Sequence, residues 1–268
     1  MLKTNGDFNR EGNASLGLVK SIRQLGIDIP NPVDDEVAIY NDIVKARQSA
    51  QVDCDNAKYR LRTVDADEFN NAREEFVTAS LNLWATTQGA DDVLIEAAVT
   101  RLGNAIYDAT SDWEATVVER FNAAVEEHTL NEVARDLPDF GDPKSFNVLS
   151  LGRAQAGAIQ SWRAAADELQ PLWAAYRRLA KFHGHLLGPV ESTDVSTNLF
   201  TACVLGDPVS FRAADAAAVK LASAASGGDS VRGYAAIMPF VVPALAGYGL
   251  QLSTLADAAV IRRHVQEV

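Results

Sequence analysis

Residues 92–128 read DVLIEAAVTRLGNAIYDATSDWEATVVERFNAAVEEH. Apolar residues recur here every three or four positions and no proline interrupts them, which is the pattern of one long amphipathic α-helix. At 1.5 Å per residue the helix is about 55 Å long, and a helix of that length needs neighbours to pack against. The predicted buried seam consists of Ile95, Ala98, Leu102, Ile106, Ala109, Trp113, Val117, Phe121, Ala124 and His128.

The same spacing predicts three helices before this one. A short helix covers residues 15–25 and ends at the turn signal IPNP. An acidic run at residues 34–36 suits the N-terminus of a long helix that continues to residue 64. The next helix starts at residues 65–68, and its seam alternates large and small residues, as interdigitating antiparallel helices require. That seam is Phe69, Ala72, Phe76, Ala79 and Leu83.

A further long helix is predicted from residue 145 to residue 187. Pro171 lies inside it, so we expect a kink or a break near residues 168–170. No segment shows the two-residue alternation of a strand. The sequence therefore predicts an all-α protein whose long antiparallel helices form a bundle or extended helical hairpins.

Composition changes near Gly188 and Pro189, which precede the polar run VESTDVSTN. Residues 189–268 carry only five basic and seven acidic side chains. We therefore expect two domains: a long-helix domain with a short N-terminal arm at 1–188, and a smaller Ala/Gly-rich helical domain at 189–268 that provides a packing or interaction surface.

The least charged part of the chain is GYAAIMPFVVPALAGYGLQLSTLA, residues 233–256. A membrane-spanning helix needs roughly 20 continuous apolar residues. Pro239 and Pro243 interrupt this stretch, so we expect a break at residues 240–242 and a new helix that starts at Pro243 and continues beyond residue 256. Its uncharged part is too short to span a bilayer, and we interpret the stretch as a buried or partner-facing element.

The charge of the chain excludes one class of partner. The chain has 24 basic and 36 acidic residues, a net charge of -12, and no basic stripe that would attract a phosphate backbone. We therefore expect no nucleic-acid partner.

Cys54 and Cys203 lie in apolar helical positions, which favours buried free thiols over a disulfide. Together with an N-terminus that lacks a Sec-type apolar region, this predicts cytoplasmic synthesis.

Two short motifs contain residue types that bind metal ions. The run DDVLIE, residues 91–96, resembles the acidic signature of isoprenoid synthases, but no second metal-binding motif accompanies it, and helix capping explains the two aspartates. His183 and His185 could form half of a metal site, but helix termination explains them as well. We predict no catalytic residue, no metal site, no cofactor and no small-molecule ligand.

The resulting hypothesis is a non-enzymatic structural protein that acts through helix-mediated self-association or partner binding. A component of a phage-like particle, or of another multi-subunit assembly, fits this pattern. Two alternatives stay open: a membrane-associated protein that uses residues 233–256, and a helical enzyme whose site the sequence does not reveal. Large side chains dominate protein interfaces. The candidate interaction residues are Trp84, Trp113, Phe240, Tyr248 and Leu252.

Overall fold

The computed structural model describes residues 5–87, 89–138, 151–185, 199–206 and 238–267. Within these ranges every regular element is a helix, apart from an isolated antiparallel bridge between Leu205 and Leu250, so the all-α prediction is confirmed. The helices are α1 (Asn5–Gln24), α2 (Asn31–Thr63), α3 (Phe69–Thr87), α4 (Ala90–Glu127), α5 (Leu130–Val133), a 3-10 turn (Ala134–Asp136), α6 (Arg153–Phe182), α7 (Leu199–Val204), α8 (Met238–Leu245) and α9 (Leu255–Glu267).

Helix α4 is the long helix predicted from residues 92–128. All nine apolar residues of its predicted seam are at most 6% exposed, so the three-and-four spacing identified the buried face correctly. The tenth position, His128, follows the last helical residue, and its Nε2 lies 3.3 Å from Glu168 Oε1 of α6. The α3 seam is less complete. Ala72 is buried and Phe69 is 47% exposed, and the other three positions, Phe76, Ala79 and Leu83, are half-buried.

Of the kink or break expected near residues 168–170 of α6, the break is absent, because the helix is continuous from Arg153 to Phe182. Pro171 is exposed, whereas Leu169 and Leu172 are buried. Proline removes the hydrogen bond to the main-chain carbonyl four residues before it. That carbonyl lies on the same, solvent-facing side of α6 as Pro171, where water can donate a hydrogen bond to it. The helix starts later than predicted, and residues 145–150 and 186–187 lie outside the described residues.

The prediction of a helix that starts at Pro243 and continues beyond residue 256 is wrong. Helix α8 passes through Pro243 and ends at Leu245. Gly247 and Gly249 follow with φ angles of 85° and 72°, a conformation that glycine adopts without strain and that commonly ends a helix. The chain then contains no helix until α9 begins at Leu255.

Contacts divide the chain into a first unit, Met1–Thr110, and a second unit, Ser111–Val268. The division falls within α4. The predicted boundary at residue 188 lies outside the described residues, but α6 and α7 on its two sides both belong to the second unit.

In the first unit, α2 and α3 pack as an antiparallel pair. Cys54 Sγ lies 3.7 Å from Ser80 Oγ, and Arg60 Nη1 donates to both carboxylate oxygens of Glu75 at 2.6 and 2.7 Å. Ascending positions on α2 therefore meet descending positions on α3. Ala72, which is fully buried, allows the helix axes to approach closely.

In the second unit, residues 249–254 form a clasped segment whose backbone is bonded by amide side chains. Asn122 of α4 donates to Leu252 O and accepts from Leu252 N, both at 2.8 Å. Asn131 of α5 does the same for Leu250, at 3.2 and 2.7 Å. These bonds satisfy polar backbone groups that no helix or sheet satisfies here.

Two further contacts hold the C-terminal end of the clasped segment. Glu114 Oε1 accepts a 2.6 Å bond from the amide of Leu255, the first residue of α9, where a carboxylate also favours the helix dipole. On the other side, Ser253 N donates to Cys203 O at 2.9 Å. The segment is thus held by α4, α5 and the end of α7 together.

We expect Asn122→Asp to lower the free energy of unfolding by about 1–3 kcal/mol, because an ionised carboxylate accepts from Leu252 N but cannot donate to Leu252 O. Urea titration followed by circular dichroism measures this loss. The matched control is Asn104→Asp, the same change at an exposed position of the same helix. Equal stability of the two variants would contradict the structural role of the amide.

Residues 233–256 are interpreted from the sequence as a buried or partner-facing element, and several of the described residues in this stretch are buried. Phe240, Val241 and Val242 of α8 are at most 6% exposed, and Leu250 and Leu252 are each 1% exposed. Phe240 packs on Phe121 of α4 with a ring-centroid separation of 6.0 Å. These residues are covered by their own chain. Residues 233–237 lie outside the described residues.

Candidate interaction surface

Charge is distributed unevenly along α3. Arg73, Glu74 and Glu75 lie in its first half, and no charged residue follows from Phe76 to the end of the helix at Thr87. This uncharged run of three helical turns belongs to a chain with a net charge of -12. It is the longest such run in the helices of the first unit.

Three large apolar side chains of the uncharged run are exposed: Val77 at 48%, Leu81 at 59% and Trp84 at 62%. They are spaced by four and three residues, so they lie on one face of α3. We call these three residues the apolar stripe. Exposed apolar residues scattered singly are ordinary, whereas several on one helix face are typical of an interaction site.

A groove runs along another face of the α2–α3 pair. It has a volume of about 1030 Å³, and its lining consists of small and polar residues. Eight α3 residues belong to that lining, among them Thr78 and Asn82. At 3.6 residues per turn, Thr78 and Asn82 lie roughly 110° round the helix from the apolar stripe. The stripe and the groove are therefore separate surfaces, which mutations on one helix can distinguish.

The two units differ in how much large apolar surface they expose. Among the described residues, only Leu245 and Val260 of the second unit are large apolar side chains with high exposure. Ten belong to the first unit, and they are spread over α2, α3 and α4. Those ten are Ile39, Val52, Tyr59, Phe69, Val77, Leu81, Trp84, Val93, Leu94 and Tyr107.

The five candidate interaction residues do not share one surface. Trp84 lies on the exposed stripe, whereas Trp113, Phe240 and Leu252 are 2%, 3% and 1% exposed in the second unit. Tyr248 lies in the turn after α8 and is half-buried. Of the five, Trp84 offers the largest exposed area to a partner, and the buried three pack within the chain.

The sequence contains a sign of the apolar stripe outside the predicted seam. The seam of α3 used Phe76, Ala79 and Leu83, and the remaining large apolar residues of the helix are Val77, Leu81 and Trp84. They repeat at the same helical spacing on a second face. A helix with two apolar faces is expected to contact more than one neighbour.

The most strongly shifted pKa values among the described residues belong to a buried pair in the second unit. Burial raises the pKa of the Cys203 thiol to about 12, and it raises the pKa of Tyr176 far above its ordinary value of 10.0. The nearby charges of Glu114 and Asp257 also raise the pKa of Tyr176. A thiol held in its protonated form is a poor nucleophile, so Cys203 acts here as a core residue.

The Tyr176 hydroxyl lies 2.8 Å from Ser253 O and 3.2 Å from Cys203 Sγ. A phenol has one proton and a carbonyl can only accept, so Tyr176 donates its hydrogen bond to Ser253 O. The thiol can then donate to the phenol oxygen. This arrangement ties α6 and α7 to the clasped segment.

The two short motifs have structural explanations in the described residues. Asp92 lies in the first turn of α4, where Arg47 Nη1 approaches its Oδ1 at 3.5 Å. His183 follows the last residue of α6, and the His183 and His185 ring centroids are 6.3 Å apart. Within the part of the chain that the structure describes, no three His, Cys, Asp or Glu side chains lie close enough to hold a metal ion.

Comparisons with protein-family models, with curated proteins and with solved structures found no match to this chain. Among the helices described here, none combines the length and the apolar character that crossing a bilayer requires.

Proposed function

We propose that this chain is a non-enzymatic assembly protein, and that its first unit presents the apolar stripe of α3 to a protein partner. The observation that carries the proposal is the position of Val77, Leu81 and Trp84, three exposed apolar side chains on one face of an uncharged helical run. A phage-like particle or another multi-subunit complex is the kind of assembly that such a surface would serve.

Two features support a contact made by the first unit rather than by the second. Among the described residues of the second unit, the large apolar side chains are mostly buried, and the clasped segment is bonded to its own chain. The first unit exposes apolar residues on three successive helices. Extended helices with exposed apolar faces typically act by packing against other helices.

The experiment is to measure the mass of the complex that contains this chain in the cells that make it. The chain is tagged at native expression level, isolated gently, and weighed by light scattering and native mass spectrometry. We expect a mass well above the 28.8 kDa of one chain. Leu81→Lys, which places a charge in the stripe, should lower the fraction in the complex about tenfold or more, since central apolar residues dominate interface energies.

The matched control is Asn82→Lys, which adds the same charge one position further along α3, in the groove lining. It should leave the complex intact. If the chain isolated from its own cells is a monomer at every stage, the proposed function is wrong. If Asn82→Lys disrupts the complex and Leu81→Lys does not, the stripe is not the surface that acts.

A further inference from the structure

We infer that the partner on the apolar stripe is a second copy of this chain, docked through an antiparallel pairing of the two α3 helices. This inference rests on the proposed function and names the partner for the same surface. In such a two-fold interface each copy contributes the same residues. Val77 of one copy then lies opposite Trp84 of the other, and the two Leu81 side chains lie next to the two-fold axis.

Charge favours this occupant. Two chains with a net charge of -12 each repel one another, so a contact between two copies is least opposed where charges are absent. The run from Phe76 to Thr87 is such a place. A basic partner would instead be attracted by carboxylates, since complementary charge is what selects an oppositely charged surface. An uncharged face on an acidic chain is matched best by its own copy.

The spacing of the stripe also fits a copy of itself. Val77 and Trp84 are seven residues, about 10.5 Å, apart along the axis, with Leu81 close to the midpoint. Antiparallel pairing sets the smallest of the three side chains against the largest, which is how facing helices interdigitate. Parallel pairing would set two tryptophans against each other at one end and two valines at the other.

The exposed apolar area sets the expected strength. A stable interface buries about 1,200–2,000 Å² in total, and three side chains from each copy supply only its centre. Val93 and Leu94, at the start of α4, are exposed as well and belong to the same unit. We therefore expect reversible association, with a dissociation constant on the order of micromolar, rather than a permanent dimer.

The test is sedimentation equilibrium of the purified full chain over a hundredfold range of concentration. The average mass should rise from 28.8 kDa toward twice that value. Leu81→Lys should raise the dissociation constant about tenfold or more. Asn82→Lys should leave it within about twofold, because surface changes away from a contact have small effects. Circular dichroism verifies that both variants keep their helices.

Salt gives a second readout. Since the paired faces carry no charge, added salt screens only the repulsion between two acidic chains, and dimerisation should strengthen as ionic strength rises. A pairing held by opposite charges would weaken instead.

Three outcomes would overturn the inference: a monomer at every concentration, a dimer that tolerates Leu81→Lys, or a dimer that salt dissociates. A purified chain that stays monomeric, while the complex from its own cells is heavier than one chain, would refute the second copy but leave the proposed assembly function standing. Monomers in both experiments would refute both.

Discussion

Trp113→Ala is expected to lower the free energy of unfolding by about 3–5 kcal/mol, because it removes a large side chain that is only 2% exposed and leaves a cavity in the second unit. Trp84→Ala should change the same quantity by less than about 0.5 kcal/mol, because its side chain is 62% exposed. Urea titrations followed by circular dichroism at a helical wavelength measure both changes.

The two tryptophan variants distinguish an effect on folding from an effect on association. Sedimentation of the two variants should show the opposite order: Trp84→Ala weakens association, while the folded fraction of Trp113→Ala associates normally. If the two losses of stability were equally large, Trp84 would be a core residue like Trp113, and the apolar stripe would lose its largest exposed side chain. Phe240 and Leu252, at 3% and 1% exposure, are expected to behave like Trp113.

The chain is expected to lose stability steeply in alkali. Cys203 has a pKa of about 12 when folded and an ordinary value of 9.0. Between those values the unfolded chain releases a proton that the folded chain keeps, so each pH unit costs about 1.4 kcal/mol for this group. Stability from this source is full below pH 9 and is lost as the pH rises toward 12.

Tyr176 adds to the loss above its ordinary value of 10.0, because burial raises its folded pKa in the same direction. From about pH 8 to about pH 11 the two groups together should lower the free energy of unfolding by about 4 kcal/mol. Urea titrations at a series of pH values measure the slope.

Tyr176→Phe tests the assignment. The variant loses the bond to Ser253 O at neutral pH, but its stability should fall less steeply above pH 10, since one titrating group is gone. Tyr59→Phe, at a position that is 71% exposed, is the matched control and should keep the slope of the unchanged chain. A slope above pH 10 that Tyr176→Phe leaves unchanged would show that Tyr176 does not contribute to the alkaline loss.

The helices of the described part could be predicted from the sequence because burial imposes a period. Every apolar position of the α4 seam is buried, and α2 and α3 lie where their spacing placed them. Prolines were less informative than their rule suggests. Pro171 and Pro243 both lie inside helices, and only the exposed Pro171 lies where water can replace the bond that a proline removes.

The clasped segment could not be predicted, for a different reason. Asn122 and Asn131 bond backbone groups of residues more than a hundred positions away, and every residue has such groups. An asparagine on a helix gives no sign in the sequence of which carbonyl it will meet. The sequence likewise gives no sign that the Tyr176 hydroxyl will donate to Ser253 O.

The candidate surface was partly predictable. Trp84 was selected for its size, but size alone also selected Trp113, which lies in the core. What distinguishes them is the second helical face formed by Val77 and Leu81, together with the absence of charge around it. A search for apolar residues left over after the seam is assigned would have found it.

The clasped segment also bears on the order in which the chain folds during synthesis. The contacts of α4 and α5 with residues 250–255 join positions 119 to 141 apart in sequence, whereas α2 and α3 meet across 26 residues at Cys54 and Ser80. Contacts between distant positions form late, since a long loop must close first. The helical pair that bears the stripe can therefore form on the ribosome well before residue 255 emerges. If two copies pair through α3 as proposed, two nascent chains on one messenger would have these helices folded before the rest of either chain is complete.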